Sequence, residues 1–414
     1  MSIIRLLKIK LWQKLNNTQK ILMVTHGEKW GAGRAASRLF DCLAENNFNV
    51  RLLLAKRDRN LINILQLGFL QKKSIFLSSR IDKIICNLLE PDNPNWKSAS
   101  FVGVINARAL NTSSFKIINF HWIGHGLISL RQLVKITKPV IFTVNDEWLL
   151  NPISHYPYRL NSRKAIFDFL RSRILKNRLQ MKEILVKKEN VLIVSVSKEI
   201  ADKFKHKYPS KANQIFVIPN PVNTQLFFPA IQLDFQKQNF DFDMPYVFYA
   251  GGTKDHRKGW DLLEKSLEFC GEKFKVLAVG ATNRSGVGKH SQIDIIGIDN
   301  ISTLPRLRKF YSNAKLTVVP SRAEALPQVA TESLSCGTPV VGFNIGGLED
   351  IIVKSRTGIL VSKFDLKLLA MAIDQIVSLD KSVFSEECIN YSIENFSYKS
   401  VSDKYGKVLE SIKG

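Results

Sequence analysis

Short apolar runs, continuous or alternating, change places along most of the chain with segments of helical spacing, the pattern expected of parallel α/β units. The first run is Ile21–Thr25. It leads into a turn bearing Trp30, Gly31, Ala32 and Gly33, then into a helix with apolar positions at Ala36, Leu39, Phe40 and Leu43. Val50–Ala55, Ile117–Phe120, Val140–Val144, Val191–Val196 and Ile215–Ile218 read as further strands, with a long basic helix over roughly Ser162–Lys187. Pro219, Pro221 and Pro229 break regular structure around Asn220 and Asn223, which marks a hinge. Beyond it, strands are expected at Tyr246–Ala250, Phe274–Val279, Asp294–Gly297, Leu316–Pro320, Pro339–Phe343 and Ile359–Val361. Helices are expected at Trp260–Cys270, Leu304–Ser312, Pro327–Cys336 and Asp365–Leu379, and the tail Val383–Lys413 is mostly helical in pattern. No tandem repeat appears. The economical reading is two doubly wound α/β domains joined by a hinge.

Composition narrows the class. A chain of 414 residues, 45% of them hydrophobic, has material for two to three domains with a large core. That excludes collagenous, disordered and disulfide-scaffold chains. No apolar run approaches the ~18 to 20 residues of a spanning helix. Met1–Asn17 is basic and apolar but lacks the clean apolar stretch and small-residue cleavage site of a secretory leader. The five cysteines (Cys42, Cys86, Cys270, Cys336, Cys388) are scattered and form no CxxC pair. That argues against a zinc site and for a reducing compartment, so the chain is expected to be cytoplasmic.

Charge adds a second constraint. Sixty Lys and Arg against 36 Asp and Glu give +24, a balance that favours polyanionic partners. Much of the excess is local. Met1–Lys20 holds Arg5, Lys8, Lys10, Lys14 and Lys20 with no acid, and Arg159–Lys188 holds ten bases against Asp168 and Glu183. Apolar residues recur among these bases: Ile3, Ile4, Leu7, Leu11 and Leu15 with Trp12, then Ile166, Phe167, Phe169, Leu170, Ile174 and Leu175. Two readings stay open: a peripheral contact with the anionic inner face of a membrane, or solvated helices packing an apolar side on their own domain. No helix-turn-helix, zinc-finger, RRM or KH pattern is present, so no specific nucleic-acid partner is expected.

In open parallel sheets, ligands bind beyond the C-terminal strand ends, so those loops are the place to look for chemistry. Pro320-Ser321-Arg322-Ala323-Glu324-Ala325-Leu326-Pro327 precedes a helix carrying Glu332. Pro327 suits a first helical position, and the N–H groups of that turn favour an anion such as a diphosphate. Glu324 and Glu332 are placed to hold two ends of one elongated ligand, or are plain solvent-facing acids. Arg257 and Lys258 follow Gly251-Gly252, and bases at a helix start favour a bound anion over a merely solvated turn. Gly31 and Gly33 allow a close backbone approach at the first strand's end, for a ligand or for a tight turn. No His, Cys or Asp cluster has metal-ligand spacing, and no nucleophilic Ser or Cys arrangement emerges.

Glu324-x7-Glu332, followed by Ser335-Cys336-Gly337-Thr338-Pro339 and Gly346-Gly347-x-Glu349, resembles the retaining glycosyltransferases of family 4, glycosyl transferases group 1. Ile218-Pro219-Asn220-Pro221-Val222-Asn223, Gly251-Gly252 with Arg257-Lys258-Gly259, and Gly31-Ala32-Gly33-Arg34 are similar to other motifs of that family, in its order. The resemblance implies a GT-B fold, two doubly wound Rossmann-like domains facing each other across a cleft. The implied boundaries are a basic segment 1–17, an acceptor-side domain 18–222, a nucleotide-sugar-binding domain 223–395, and a C-terminal helix 396–414 packing back on the first domain. It implies a nucleotide-sugar donor, a saccharide or lipid-linked acceptor, and cell-surface polysaccharide or lipopolysaccharide as the product class. No metal or other cofactor is expected. Carried over, Glu324 lies beside the donor sugar and Glu332 holds the ribose hydroxyls. Leu326 and Pro327 supply the helix start under sugar and diphosphate, and Lys258 with Arg257 neutralises the leaving group. Base selection falls near Gly280–Asn283 and Ile298–Leu304. His121-Trp122 matches a family His-Trp, whereas Thr143-Val144-Asn145-Asp146 carries Asn145 where the family has a sugar-contacting His. Asn145 keeps hydrogen-bonding capacity but takes no proton. A catalytically impaired carbohydrate- or polyanion-binding protein is the alternative. His26, Glu28, His125 and His155 have no assigned role.

Overall fold

The computed structural model describes residues 20–28, 31–56, 63–93, 96–157, 165–230, 244–287, 293–298, 301 and 303–412. The basic segment 1–17, Trp30, and the Ser162 start of the long basic helix lie outside them. Two compact units divide the chain, one up to Ile218 and again from Ser402, the other from Pro219 to Val401.

In the first unit the order is β1 (Ile21–Gly27), α1 (Gly31–Glu45), β2 (Val50–Lys56), β3 (Ile64–Gln66), α2 (Phe69–Leu89), α3 (Ala107–Thr112), β4 (Ile117–Phe120), α4 (Leu130–Val134), β5 (Val140–Val144), α5 (Ala165–Lys187), β6 (Val191–Ser195), α6 (Lys198–Lys207) and β7 (Ile215–Val217). The strands form one parallel sheet in the order β3-β2-β1-β4-β5-β6-β7. Val24 of β1 is flanked by Leu53 of β2 and Phe120 of β4, so the strand order reverses at β1. The continuous apolar runs have a direct cause: every residue of β4, β5 and β6 is buried, as a sheet covered on both faces requires.

The second unit comprises β8 (Tyr246–Tyr249), α7 (Trp260–Leu267), β9 (Phe274–Val279), β10 (Arg284–Val287), β11 (Ile293–Ile298), α8 (Leu304–Asn313), β12 (Leu316–Val319), α9 (Gln328–Ser335), β13 (Val340–Phe343), β14 (Gly358–Val361), α10 (Leu366–Ser378) and α11 (Ser382–Phe396). Its sheet runs β10-β11-β9-β8-β12-β13-β14, parallel except for the antiparallel edge pair β10–β11. Here the order reverses at β8. A last helix, α12 (Tyr398–Ser411), starts in the second unit and ends in the first.

The division falls at Ile218/Pro219, ahead of the expected 222/223. Val222 already belongs to the second unit, where its N–H donates to Phe396 O at 2.8 Å and it bridges Ser397. The return comes at Ser402 rather than at residue 396. Within the first unit Tyr405 of α12 answers a polar spot under the sheet. Its hydroxyl lies 2.8 Å from Thr143 Oγ1, which donates to Asn119 Oδ1 at 2.9 Å. The five cysteines are buried and none is in a disulfide. Among the described residues no helix is long and apolar enough to cross a membrane.

Candidate functional site

In each sheet the strand order reverses beside one strand, and ligands of open parallel sheets bind outside the strand ends at such points. For the second sheet these loops follow β8 and β12. After β8, Asp255 caps a 3-10 turn His256–Lys258, its carboxylate accepting the Arg257 N–H at 3.0 Å, and left-handed Gly259 ends the turn. After β12 the loop 320–327 is tied to this turn twice. Arg322 N–H donates to Arg257 O at 2.7 Å, and the Arg322 guanidinium makes a paired contact with Asp261, both distances 2.7 Å. This bidentate pair holds the Asp261 carboxyl below its ordinary range. Between the two loops, Lys258 Nζ meets Glu324 Oε1 at 2.5 Å, and Ser321 Oγ donates to the same oxygen at 2.9 Å. A third loop joins through Thr253, whose hydroxyl donates to Gly280 O at 2.5 Å.

Glu324 is fixed from behind by Gly346. That glycine has φ 60°, and a Cβ there would run into the Glu324 carbonyl, while Gly347 N–H donates to Ala325 O at 2.9 Å. Gly346→Ala therefore costs the left-handed penalty of about 1–2 kcal/mol and also pushes Glu324 off Lys258. The expected result is a lower denaturation midpoint together with a lower turnover number. Unchanged values of both would show that the loops do not need this contact.

Other expected site residues take different places. Pro327 is the N-cap of α9 rather than its first residue. Its ψ of 113° is extended, and its carbonyl accepts the Ala330 N–H at 3.0 Å. The N–H groups of Gln328 and Val329 accordingly precede the first N–H that donates within the helix, that of Ala330. Leu326 is buried beneath the loop. Glu332 is 4% exposed, and Tyr311 donates its hydroxyl to Oε2 at 2.9 Å. Arg257 pairs with Asp255 at 2.6 Å. The structure thus joins Glu324 to Lys258 and seats Glu332 against Tyr311, one turn into α9.

Gly31 and Gly33 lie in the first turn of α1, not in a turn before it. A Cβ on Gly33 would strike the Gly27 carbonyl, so its smallness serves the contact of α1 with the end of β1; Gly31 faces open space. That helix start shares a small cavity with the ends of β4 and β5, lined among others by Ala32, His121, Trp122, Asn145, Asp146 and Trp148. His121 and Asn145 are therefore brought together, in the first unit. His121 is 7% exposed, and neither ring nitrogen has a hydrogen-bond partner among the described residues. Burial lowers its imidazole to about 3, so the ring is neutral and offers one donor and one acceptor.

A folded-state value below the unfolded one means that stability is complete above the unfolded pKa and falls with pH towards the folded one. By pH 4.5, two units under the ordinary value of about 6.5, the cost is ~2.7 kcal/mol. Wild type should lose more stability than His121→Gln between pH 7 and 4.5 in denaturant melts. Equal losses would contradict the buried neutral imidazole.

Three residues that hold this cavity were not assigned from sequence. Asp146 Oδ2 meets His155 Nδ1 at 2.8 Å, and its Oδ1 accepts the Trp148 N–H at 2.8 Å. Burial pushes the Asp146 carboxyl up, but His155, the Trp148 N–H and Lys182 together bring it below its ordinary range. Lys182 is fully buried. Its ammonium donates to Trp148 O at 2.6 Å and Asn151 O at 2.9 Å, and lies 3.7 Å from the centre of the Trp148 ring. A base of the basic helix α5 is thus a buried strut, and Arg178 is buried as well. His155 carries no sequence signal beyond its type; only the fold brings it to Asp146. Among the described residues no group of three His, Cys, Asp or Glu side chains is placed to hold a metal ion.

Residues 231–394 match the family described as glycosyl transferases group 1, and residues 31–226 match glycosyltransferase family 4. A D-inositol 3-phosphate glycosyltransferase of Corynebacterium diphtheriae is 26% identical over 350 residues, 79% of this chain and 77% of that protein. Those of Xylanimonas cellulosilytica and Mycobacteroides abscessus are 28% and 30% identical, but the matches span 45% and 37% of their length and 42% and 37% of this chain. Among solved structures, sucrose-phosphate synthase of Thermosynechococcus elongatus superposes with TM-score 0.64 at 19% identity, covering 95% of this chain and 99% of that one. Anabaena HepE in complex with UDP-glucose gives TM-score 0.62 at 14% identity, covering 95% and 99%. With two Rossmann-like units, and one family match on each, the chain belongs to the group 1, family 4 glycosyltransferases of GT-B fold.

Proposed function

We propose that the chain transfers a sugar from a nucleotide-sugar donor to a saccharide or lipid-linked saccharide acceptor, with retained anomeric configuration and without a metal. The observation that carries this reading is the Lys258–Glu324 pair, built from two strand-end loops at the reversal point of the second sheet and followed directly by the start of α9. When the bond from the sugar to the diphosphate breaks, negative charge grows on the leaving oxygen. Lys258 and the N–H groups of Gln328 and Val329 are the groups suited to stabilise it. Arg257 supports Lys258 from the same turn. Glu324 lies with the donor sugar, Glu332 with the ribose, and Leu326 and Pro327 form the floor. His121 and Asn145 line a cavity of the first unit, next to the helix start at Gly31 and Gly33, and are the groups there able to hydrogen-bond a sugar hydroxyl.

HepE holds UDP-glucose in its structure, and another structure of the same fold is a lipopolysaccharide outer core galactosyltransferase. These support a nucleotide-sugar donor and a role in cell-surface polysaccharide or lipopolysaccharide assembly. The relatives named for D-inositol 3-phosphate add a phosphorylated polyol to the acceptors worth assaying. The test is release of the nucleotide, a diphosphate from UDP-, GDP-, ADP- and TDP-sugars and CMP from CMP-sugars, in the presence of a chelator, with the product's anomeric proton read by NMR. One nucleotide class should turn over with retention. Glu324→Ala should lower turnover more than affinity, and Glu332→Ala should do the reverse. Full activity in both variants would overturn the site. A second reading, a carbohydrate-binding chain of impaired activity, rests on Asn145 and predicts donor binding with no release.

A further inference from the structure

Helix α2 has an outer side rich in exposed apolar groups. Phe69, Leu70, Phe76, Leu77, Ile84 and Leu88 are between 59% and 77% exposed. At about 100° per residue, Leu70, Leu77, Ile81, Ile84 and Leu88 fall in one narrow stripe, and Phe69 and Phe76 flank it. The exposed bases Lys73 and Arg80 border this stripe, and the exposed Lys72 and Lys83 lie farther round the helix, about 160° and 140° from Leu70. The first two lie on the phenyl rings: Lys73 Nζ is 4.6 Å from the Phe69 ring centre, and the Arg80 guanidinium is 4.3 Å from that of Phe76.

The helix has one acid, Asp82, and it points inward. It accepts hydrogen bonds from the Ser98 hydroxyl at 2.7 Å and from the Ala99 and Ser100 N–H groups at 3.1 and 3.0 Å. Cys86 and Leu89 pack with Ile153 and with Leu175 of α5. The inner side is thus fully committed, while the exposed part of the helix carries large apolar groups, four cations and no carboxylate.

We propose that this outer side of α2 docks on an anionic lipid bilayer. A run of bare phenylalanine, leucine and isoleucine exceeds what a solvated helix shows. Bases laid along aromatic rings keep their charge at the edge of an apolar strip, the arrangement that suits the boundary between acyl chains and anionic headgroups. Charge complementarity selects the occupant. A second copy of the face would oppose cations to cations, and the basic Met1–Asn17 segment would do the same. Helix α5, whose Leu175 packs with Cys86 and Leu89 of α2, also carries exposed Phe169, Leu170, Arg173 and Lys176. This places the membrane contact on a helix that the charge distribution alone does not reveal. It is independent of the transfer chemistry.

The full chain is mixed with vesicles of phosphatidylcholine alone or of phosphatidylcholine with phosphatidylglycerol, and floated at physiological salt. Binding is expected with the anionic vesicles only. Leu70→Ser/Leu77→Ser/Ile84→Ser should weaken it by roughly tenfold or more, as loss of buried apolar area demands. Lys73→Gln/Arg80→Gln should weaken it and flatten its salt dependence. Both variants should keep the wild-type melting curve and vesicle-free donor turnover, since every changed side chain is exposed. No flotation of wild type, or equal flotation of the triple-serine variant, would overturn the proposal. So would a wild-type dimer that the triple-serine variant dissociates, because the face would then belong to a second copy.

Discussion

Replacing Lys258 by alanine is expected to lower kcat by roughly 10²–10³ while the fold stays intact, the usual cost of one group that meets charge developing in the transition state. The Lys258 side chain leaves a short 3-10 turn and is partly exposed, so little packing is lost with it. What remains is the 8%-exposed side chain of Glu324, stripped of its cation and still accepting the Ser321 hydroxyl at 2.9 Å. Two effects then act in one direction: the leaving group loses its counter-charge, and Glu324 loses the partner that orients it. Lys258→Arg should recover part of the loss, because charge is restored while reach and donor geometry change. Steady-state kinetics with the accepted donor decides the matter. A variant with wild-type kcat would remove Lys258 from the chemistry.

On stability the largest effect is expected at Lys182. Truncation to alanine deletes a fully buried side chain and the donor to the carbonyls of Trp148 and Asn151. Lost volume and lost hydrogen bonds together should cost about 3 kcal/mol. One term opposes them: burial holds the ammonium well below its ordinary pKa, and removing a desolvated cation relieves that penalty. Lys182→Met keeps the volume and separates the terms. It should sit between wild type and alanine in urea midpoint, and both variants should loosen the loop that carries Asn145 and Asp146. An alanine variant as stable as wild type would show that the strut is dispensable.

Much of the fold is legible because it rests on local pattern. Continuous runs such as Val140–Val144 and Leu316–Val319 are buried on both sides, so their apolar content announces them. Helix α2 is not announced. Phe69–Leu89 has apolar residues all round, and the periodicity that marks a half-buried helix is blurred by the bare side argued above to meet lipid. The pairing of Glu324 with Lys258 follows from motifs 66 positions apart only through the family resemblance. Spacing along a single chain says nothing about such a meeting. Asp146 with His155 and Lys182 with Trp148 lie deeper still, since a charge count cannot tell a buried strut from a solvated base. Gly33 looks like a ligand-loop glycine yet serves the contact with Gly27, because two close backbones ask for the same residue whichever of them is the ligand's.

The central claim is that the loops around Lys258 and Glu324 bind a nucleotide-sugar. Its most direct test is a thermal-shift titration of wild type and Lys258→Ala with UDP-, GDP-, ADP-, CMP- and TDP-sugars. Ligand at a hundred times its Kd stabilises the folded chain by ~2.7 kcal/mol, a readily measured rise in melting temperature. One nucleotide class should raise the melting point of wild type and fail to do so in the variant. A wild-type melting point that no nucleotide-sugar moves would contradict the account.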